Sequence, residues 1–249
     1  MSDSPLFTVV CATLLRPSYA QLAWSVWDQS FRDFEFHARC EPEVNEYVSR
    51  NRAAREARGR YLVFCDDDAL LQRDHLARLA QAIERNDSPP ALGGPLQGNM
   101  WGTGTMLLNE PSWGVGANMV FRKDVFDDLG GFEEDWGLGH PTKGWRADTD
   151  LWWKVEDRFV GGPTWLPNLI VIHPGPMGAT WQPDVEGVFF RRWRKRTIAR
   201  FVPVDPRLQQ FLLDTQDLAP EEEKEVLRAR KAMRARIPNL PRLPQEKDP

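Results

Sequence analysis

The chain has 249 residues, 41% of them hydrophobic and 27% charged, with 32 basic against 36 acidic side chains and a formal net charge of −4. These values suit a globular α/β domain with an extension and exclude a chain drawn to nucleic acid by overall charge. The three cysteines are odd in number and lack metal-ligand spacing, so reduced thiols, two of them buried in strand-like runs, are expected.

The opening "MSDSPLFTVVCATLL" lacks the basic start and long apolar core of a signal peptide, and no window approaches 18 uninterrupted apolar residues. A cytoplasmic protein is therefore expected. "LFTVVCATLL" (6–15) reads as a buried parallel strand. Ser18 is placed to cap a helix through "YAQLAWSVWDQS" that turns Leu22, Val26 and Trp27 to one face. "FEFHARC" (34–40) is a second strand, and "NEYVSRNRAAREARG" (45–59) a helix stopped at Gly59. "RYLVFC" (60–65) is the next strand, followed by the amphipathic "LQRDHLARLAQAIERN", on which His75 is expected at the surface. Strands alternating with helices predict an α/β fold with a mostly parallel sheet.

From residue 88 the texture turns rich in Gly, Pro and Trp, and eight of the eleven tryptophans fall between Trp101 and Trp181. "ANMVFRKDVFDDLGGF" predicts a strand, a short helix and a glycine stop. "DTDLWWKVEDRF" predicts a helix with Trp152 and Trp153 in the core, and "TWLPNLIVIHP" a strand ended by Pro174. A basic amphipathic helix (185–201), a charged surface helix (219–237) and a mobile proline-rich tail (238–249) complete the chain.

"YLVFCDDDALL" delivers three aspartates from the end of an apolar strand, where open α/β sheets bind ligands. Side chains alternate in an extended segment, so Asp66 and Asp68 share a face and Asp67 points away. Such a pair suits Mg²⁺ or Mn²⁺, which take oxygen ligands and complete their shell with substrate phosphates. The competing reading makes Asp67 or Asp68 a helix cap. This stretch alone leaves both open.

"SRNRAAREARGRYLVFCDDDALL" closely resembles the segment of family 2 glycosyltransferases that carries the D-x-D motif. "FTVVCATLLRPSYAQLAWSVWDQSFRDFEF" resembles the family's first strand, loop and helix, and "GANMVFRKDVFDDLGGFEEDWG" its acceptor-side segment with Gly-Gly-Phe-Glu. "RADTDLWWKV" resembles the motif of the catalytic base, and "LIVIHP" the strand that ends in a histidine. Together these cover roughly residues 6–200 in order.

The resemblance implies a GT-A fold and transfer of a sugar from a nucleoside-diphosphate sugar to an acceptor hydroxyl with inversion. The acceptor is expected to be a polysaccharide, glycolipid or small-molecule glycoside. By position, Asp66 and Asp67 belong to the donor site with Thr13, Arg16, Arg50 and Asn51, and Asp68 holds the divalent cation (Mn²⁺ or Mg²⁺) with His173 as a further ligand or diphosphate contact. Glu41 is the acidic residue nearest the nucleobase-binding position, in a 37–50 region shorter than the family's, which leaves UDP, GDP and dTDP open. Asp148 is the expected base and Asp150 the second candidate. An inverting transfer needs a base facing the acceptor hydroxyl. Trp101, Trp113, Trp136 and Trp145 are the candidate acceptor-stacking residues.

The implied organisation is a GT-A domain over 1–204, with a nucleotide-binding half (1–87) and an acceptor half (88–204), then an extension over 205–249. "RRWRKR" (191–196) is a candidate cover for an acidic face, contact with an anionic inner-membrane surface, or contact with the donor diphosphate. It resembles the Arg-Trp of processive members, but Phe189 replaces their Gln, so one transfer per encounter is expected. Two rivals remain: a non-catalytic nucleotide-sugar or carbohydrate-binding module, and a nucleotidyltransferase-like metal enzyme. A base remote in sequence from the metal aspartates disfavours the second.

Overall fold

The computed structural model describes residues 4–100, 105–137, 146–177 and 182–236. It divides into two compact units, residues 1–181 and 182–249.

The first unit is built on a six-stranded sheet. Strands β1 (Phe7–Thr13), β2 (Phe34–Cys40) and β3 (Tyr61–Asp66) alternate with helices α1 (Pro17–Trp27) and α2 (Glu46–Glu56), and α3 (His75–Arg85) follows. Then come β4 (Ala91–Gly93), β5 (Leu96–Met100), β6 (Thr105–Leu108), β7 (Met119–Arg122), α4 (Lys123–Asp128), α5 (Ala147–Arg158), β8 (Thr164–Trp165) and β9 (Val171–Met177). The order in the main sheet is β2-β1-β3-β7-β4-β8. β1 runs parallel to β2 and β3, and β7 alone is antiparallel to its neighbours. A parallel pair needs a crossover, which α1 and α2 supply. The expected mostly parallel α/β sheet is therefore present.

The parallel register sets Ala12 opposite Asp66, so the loop after β1 opens beside the aspartates at the carboxyl edge. The strands earn this central place by composition: Phe7, Val9, Val10, Leu62, Val63 and Phe64 are all buried, as their unbroken apolar runs require. Cys11 and Cys65 are buried free thiols on facing strand positions, whereas Cys40 is exposed.

A second sheet, β6-β5-β9, brings the first residues of β9 toward the site. Gly98 of β5 pairs with His173, and a Cβ at Gly98 would stand 2.2 Å from the His173 carbonyl oxygen, so only glycine permits this approach. The ladder shifts register immediately afterwards, with Asn99 opposite Pro176. β9 consequently runs on through Pro174, which the sequence had placed at the strand's end. Proline cannot donate to a ladder, and the register shift accommodates it.

Other boundaries also move. α1 begins at Pro17 with Arg16 as its N-cap, and no side chain caps it, so Ser18 lies within the first turn. Proline's fixed φ starts this helix without a hydroxyl cap. Leu22 and Val26 are buried as expected, but Trp27 is 59% exposed. α2 ends at Glu56 rather than Gly59, and Asn45 caps its start by accepting from the Tyr47 and Val48 N–H groups. His75 is fully buried, not at the surface, because it shares the stripe of Leu76, Leu79 and Ile83 that faces the core.

The second unit holds α6 (Pro183–Arg200), α7 (Pro206–Thr215) and α8 (Pro220–Arg236). α6 is kinked at Trp193, whose φ and ψ of −116° and 30° leave the helical range. Arg194 ties α6 to α8 through Glu222 at 2.6 and 2.5 Å. The unit thus begins ahead of α6, whereas the sequence drew its boundary after 204. No helix among the described residues is long and apolar enough to cross a membrane.

Candidate active site

The three aspartates occupy the end of β3 and the turn that follows. Asp66 is the last strand residue, and its carbonyl accepts from the Ala69 N–H at 3.1 Å, closing a tight turn over Asp67 and Asp68. Two bonds between Leu70 and Ile172, N to O at 2.7 and 3.1 Å, then pin this turn to β9. His173, the next residue, is thereby set against the carboxylates. Its Nε2 lies 2.9 Å from Asp68 Oδ1 and 3.3 Å from Asp66 Oδ2. Asp66 and Asp68 do share a face, but a turn arranges them rather than the extended alternation read from the sequence.

One donor atom from each of Asp66, Asp68 and His173 falls within a sphere of mutual separations below 4.8 Å. Two carboxylates and one imidazole fit a divalent ion of the Mn²⁺ kind, with remaining positions open to substrate oxygens. The electrostatics agree with that fit. Burial would lower the His173 pKa, but the Asp66 and Asp68 carboxylates outweigh it and push it up to about 10, so the pocket already favours a positive charge at this point. Asp66 is held down to about 2: burial raises it, and the Arg50 guanidinium and His173 more than offset that.

Asp67 faces the other way. It is buried and accepts from Thr13 Oγ1 at 3.0 Å and the Leu14 N–H at 3.4 Å, and it is ion-paired with Arg16. Thr13 Oγ1 in turn accepts from the Leu15 N–H at 2.8 Å. Leu15 is left-handed at φ 55°, an uncommon state for a leucine that this clasp holds in place. Arg16 is also 3.8 Å from Asp68 and its side chain is 54% exposed. Thr13, Arg16 and Asp67 therefore form one unit that shapes the loop after β1.

Arg50 and Asn51, neighbours on α2, face different partners. Arg50 is buried, ion-paired with Asp66, and 3.9 Å from Glu46. Asn51 donates to the Phe132 carbonyl at 2.9 Å and Glu134 Oε1 at 3.0 Å, and accepts from the Phe132 N–H at 3.0 Å. Its amide thus holds the Gly-Gly-Phe-Glu segment, where Gly131 sits at φ +77° and a Cβ would stand 2.6 Å from Asn51 Oδ1, too close to fit. Glu41 is similarly engaged, accepting from Arg52 at 2.9 Å and Arg39 at 3.4 Å at the end of β2.

Asp148 lies in the first turn of α5 behind Arg146, which is left-handed at φ 63°. Its carboxylate accepts from the Thr149 N–H at 2.8 Å and the Gly116 N–H at 3.2 Å. Burial raises its pKa despite these two bonds, which favours a proton acceptor over an inert anion. Asp150 differs: it is fully buried and paired with Lys154 at 2.7 Å, and Lys154 also holds Glu133 at 2.7 Å. That enclosure makes Asp150 a structural anchor rather than a base.

Trp152 and Trp153 are buried, as expected of the core, and donate to the Pro111 and Ser112 carbonyls at 3.0 and 2.6 Å. They thereby fix the loop that presents Trp113, which is half-buried. Trp136 is only 5% exposed and packs inside, so it offers little face to a sugar. Trp101 and Trp145 lie outside the described residues. Glu46 and Gly116 were not singled out from the sequence. Gly116 supplies a backbone N–H, which no residue type announces.

Residues 42–100, which include Arg50 and all three aspartates, match the sequence model of the family described as glycosyl transferase family 2. The matched segment is about a quarter of the chain. The fold of the chain is that of the GT-A members. The Staphylococcus aureus TarS 1–349 structure in complex with UDP-GlcNAc is similar at a TM-score of 0.56 and 13% identity, over 90% of this chain and 79% of that one. The mannosyltransferase PcManGT from Pyrobaculum calidifontis, in complex with GDP-Man and Mn²⁺, is similar at 0.51 and 16%, over 98% and 78%. At sequence level no curated protein matches. The matched segment carries Asp66 and Asp68 of the metal-type cluster, and its third member His173 lies beyond it, as does Asp148.

Proposed function

We propose that the glycosyltransferase moves one sugar per encounter from a nucleoside-diphosphate sugar to an acceptor hydroxyl, with inversion and with a divalent metal. The supporting observation is the pairing of two unlike sites: an Asp66–Asp68–His173 cluster suited to a cation, and a half-buried Asp148 whose proton affinity is raised.

Asp66, Asp68 and His173 would hold the ion, and Mn²⁺ or Mg²⁺ would supply positive charge to offset that of the leaving nucleoside diphosphate. Arg16 stands beside Asp68 with an exposed guanidinium, in reach of a diphosphate oxygen approaching the same cluster. The Thr13–Asp67 clasp holds the loop that walls the nucleotide. Asp148 takes the proton of the acceptor hydroxyl, kept in place by the Gly116 and Thr149 N–H groups while it does so. Trp113, fixed from beneath by Trp152 and Trp153, offers a stacking face for a carbohydrate or glycoconjugate acceptor. UDP-, GDP- and dTDP-sugars are the donors to be tried.

A panel of these donors, assayed with and without Mn²⁺, tests the reading. A metal-dependent rise in melting temperature and transfer with inverted anomeric configuration by NMR are expected. Absence of both binding and turnover across the panel overturns it. Asp148→Asn should keep donor binding and lose transfer by about 100- to 10,000-fold, the range of a lost general base. Loss of donor affinity instead would remove Asp148 from the role of base.

A further inference from the structure

The metal-type cluster and Asp148 belong to different stretches of the chain, yet one side chain reaches both. Arg50 leaves α2 buried at 3% exposure, with its Nη2 on Asp66 Oδ1. Its Nη1 lies against Gly116: a Cβ there would stand 3.0 Å from Arg50 Nη1 and 3.6 Å from Asp148 Oδ2. The guanidinium and the base carboxylate thus both border the place that a Cβ at Gly116 would take, and the Gly116 N–H holds that base. Phe132 packs over the guanidinium at 5.9 Å.

Resting on the reading above, we infer that Arg50 is a positioning residue that couples the two halves of the site, fixing Asp66 directly and setting the place and charge of Asp148 across Gly116. A buried guanidinium cannot shed its charge, so it favours the ionised form of any carboxylate nearby. The groups that face Asp148 are Arg50 and Tyr47 from α2, the Gly116 N–H, and Arg146 and the Thr149 N–H from its own segment. Of these, Arg50 is the cation that also holds the metal-type cluster. Burial raises the Asp148 pKa, and the Thr149 and Gly116 N–H groups, Arg146 and then Arg50 act against it.

The test reads the Asp148 carboxyl directly by ¹³C NMR titration of the metal-free protein, and then the pH profile of kcat. Arg50→Met should move the Asp148 titration and the acid limb of kcat upward together by roughly a few tenths of a pH unit, as loss of a nearby positive charge that is not ion-paired with Asp148 requires. Arg50→Lys should restore most of that shift while still lowering kcat, because it keeps charge and loses the fork. If Arg50→Met unfolds, Gly116→Ala gives the second reading: its Cβ displaces the guanidinium and should shift both curves the same way by less. An unmoved Asp148 titration in the folded variant overturns the coupling. If the titration moves and kcat in the wild type shows no acid limb, the coupling stands and Asp148 is not the base.

Discussion

Two buried histidines sit in two regions of the first unit and behave oppositely. His75, at the start of α3, is 1% exposed and its pKa falls to about 4 because burial penalises the charged ring. His173, on β9, is 6% exposed, and its pKa climbs to about 10 because Asp66 and Asp68 outweigh the same burial penalty. Burial is common to both, so burial does not mark function. What distinguishes the site is a histidine aimed by its backbone at two carboxylates. The Leu70–Ile172 bridge does that aiming. His75 has an Nε2 without a hydrogen-bond partner among the described residues, on a helix face packed with leucine and isoleucine.

The comparison is broken most forcefully at His173. His173→Ala removes one of three converging donors and should weaken Mn²⁺ binding by about 100-fold or more, read by calorimetry. Asp68→Asn should do the same. A metal affinity unchanged in both variants would make the cluster an ion-pair network and no more.

The next largest effect is a pH dependence of stability from His75. Its folded pKa lies below its unfolded value of about 6.5, so the unfolded chain binds the extra proton. Stability from this group is therefore intact above pH 6.5 and is lost as pH falls from there toward 4. Between pH 7 and pH 5 the wild type should lose about 2 kcal/mol more than His75→Leu, measured by urea denaturation at both values. Equal slopes would place a proton on His75 in the native state.

Much of this was written in local sequence. The aspartates at the end of an apolar strand, the Arg-Asn helix and the Ala-Asp-Thr-Asp helix start all sit where their neighbours indicated. From the sequence His75 is expected at the surface, although its helical spacing with Leu79 and Ile83 marks the buried face, and α7, which Asp205 caps ahead of Pro206, is not expected at all. The turn over Asp67 and Asp68, the Leu70–Ile172 bridge and the Gly116 contact were not legible in the sequence. Each depends on backbone from a distant strand or loop, and backbone groups carry no residue signature. Asn51 shows the same limit: its type suits a ligand contact, and only the position of Phe132 reveals that its amide is committed.

Asp67 sharpens the comparison with the smallest effect. It lies between the two metal-type aspartates in sequence, yet its oxygens bind Thr13, the Leu14 N–H and Arg16. Asp67→Asn keeps an oxygen for the threonine and the backbone N–H but gives up the ion pair. Because the Arg16 side chain is 54% exposed, water replaces much of what is lost, and the cost should be about 1 kcal/mol rather than the several of a fully buried pair. Mn²⁺ affinity should stay within about twofold of the wild type, since no metal-type donor is touched. Donor KM should rise, because the loop with left-handed Leu15 loses its clasp. If Mn²⁺ affinity falls as far as in His173→Ala, the three carboxylates act as one cluster and Asp67 shares the work of Asp66 and Asp68.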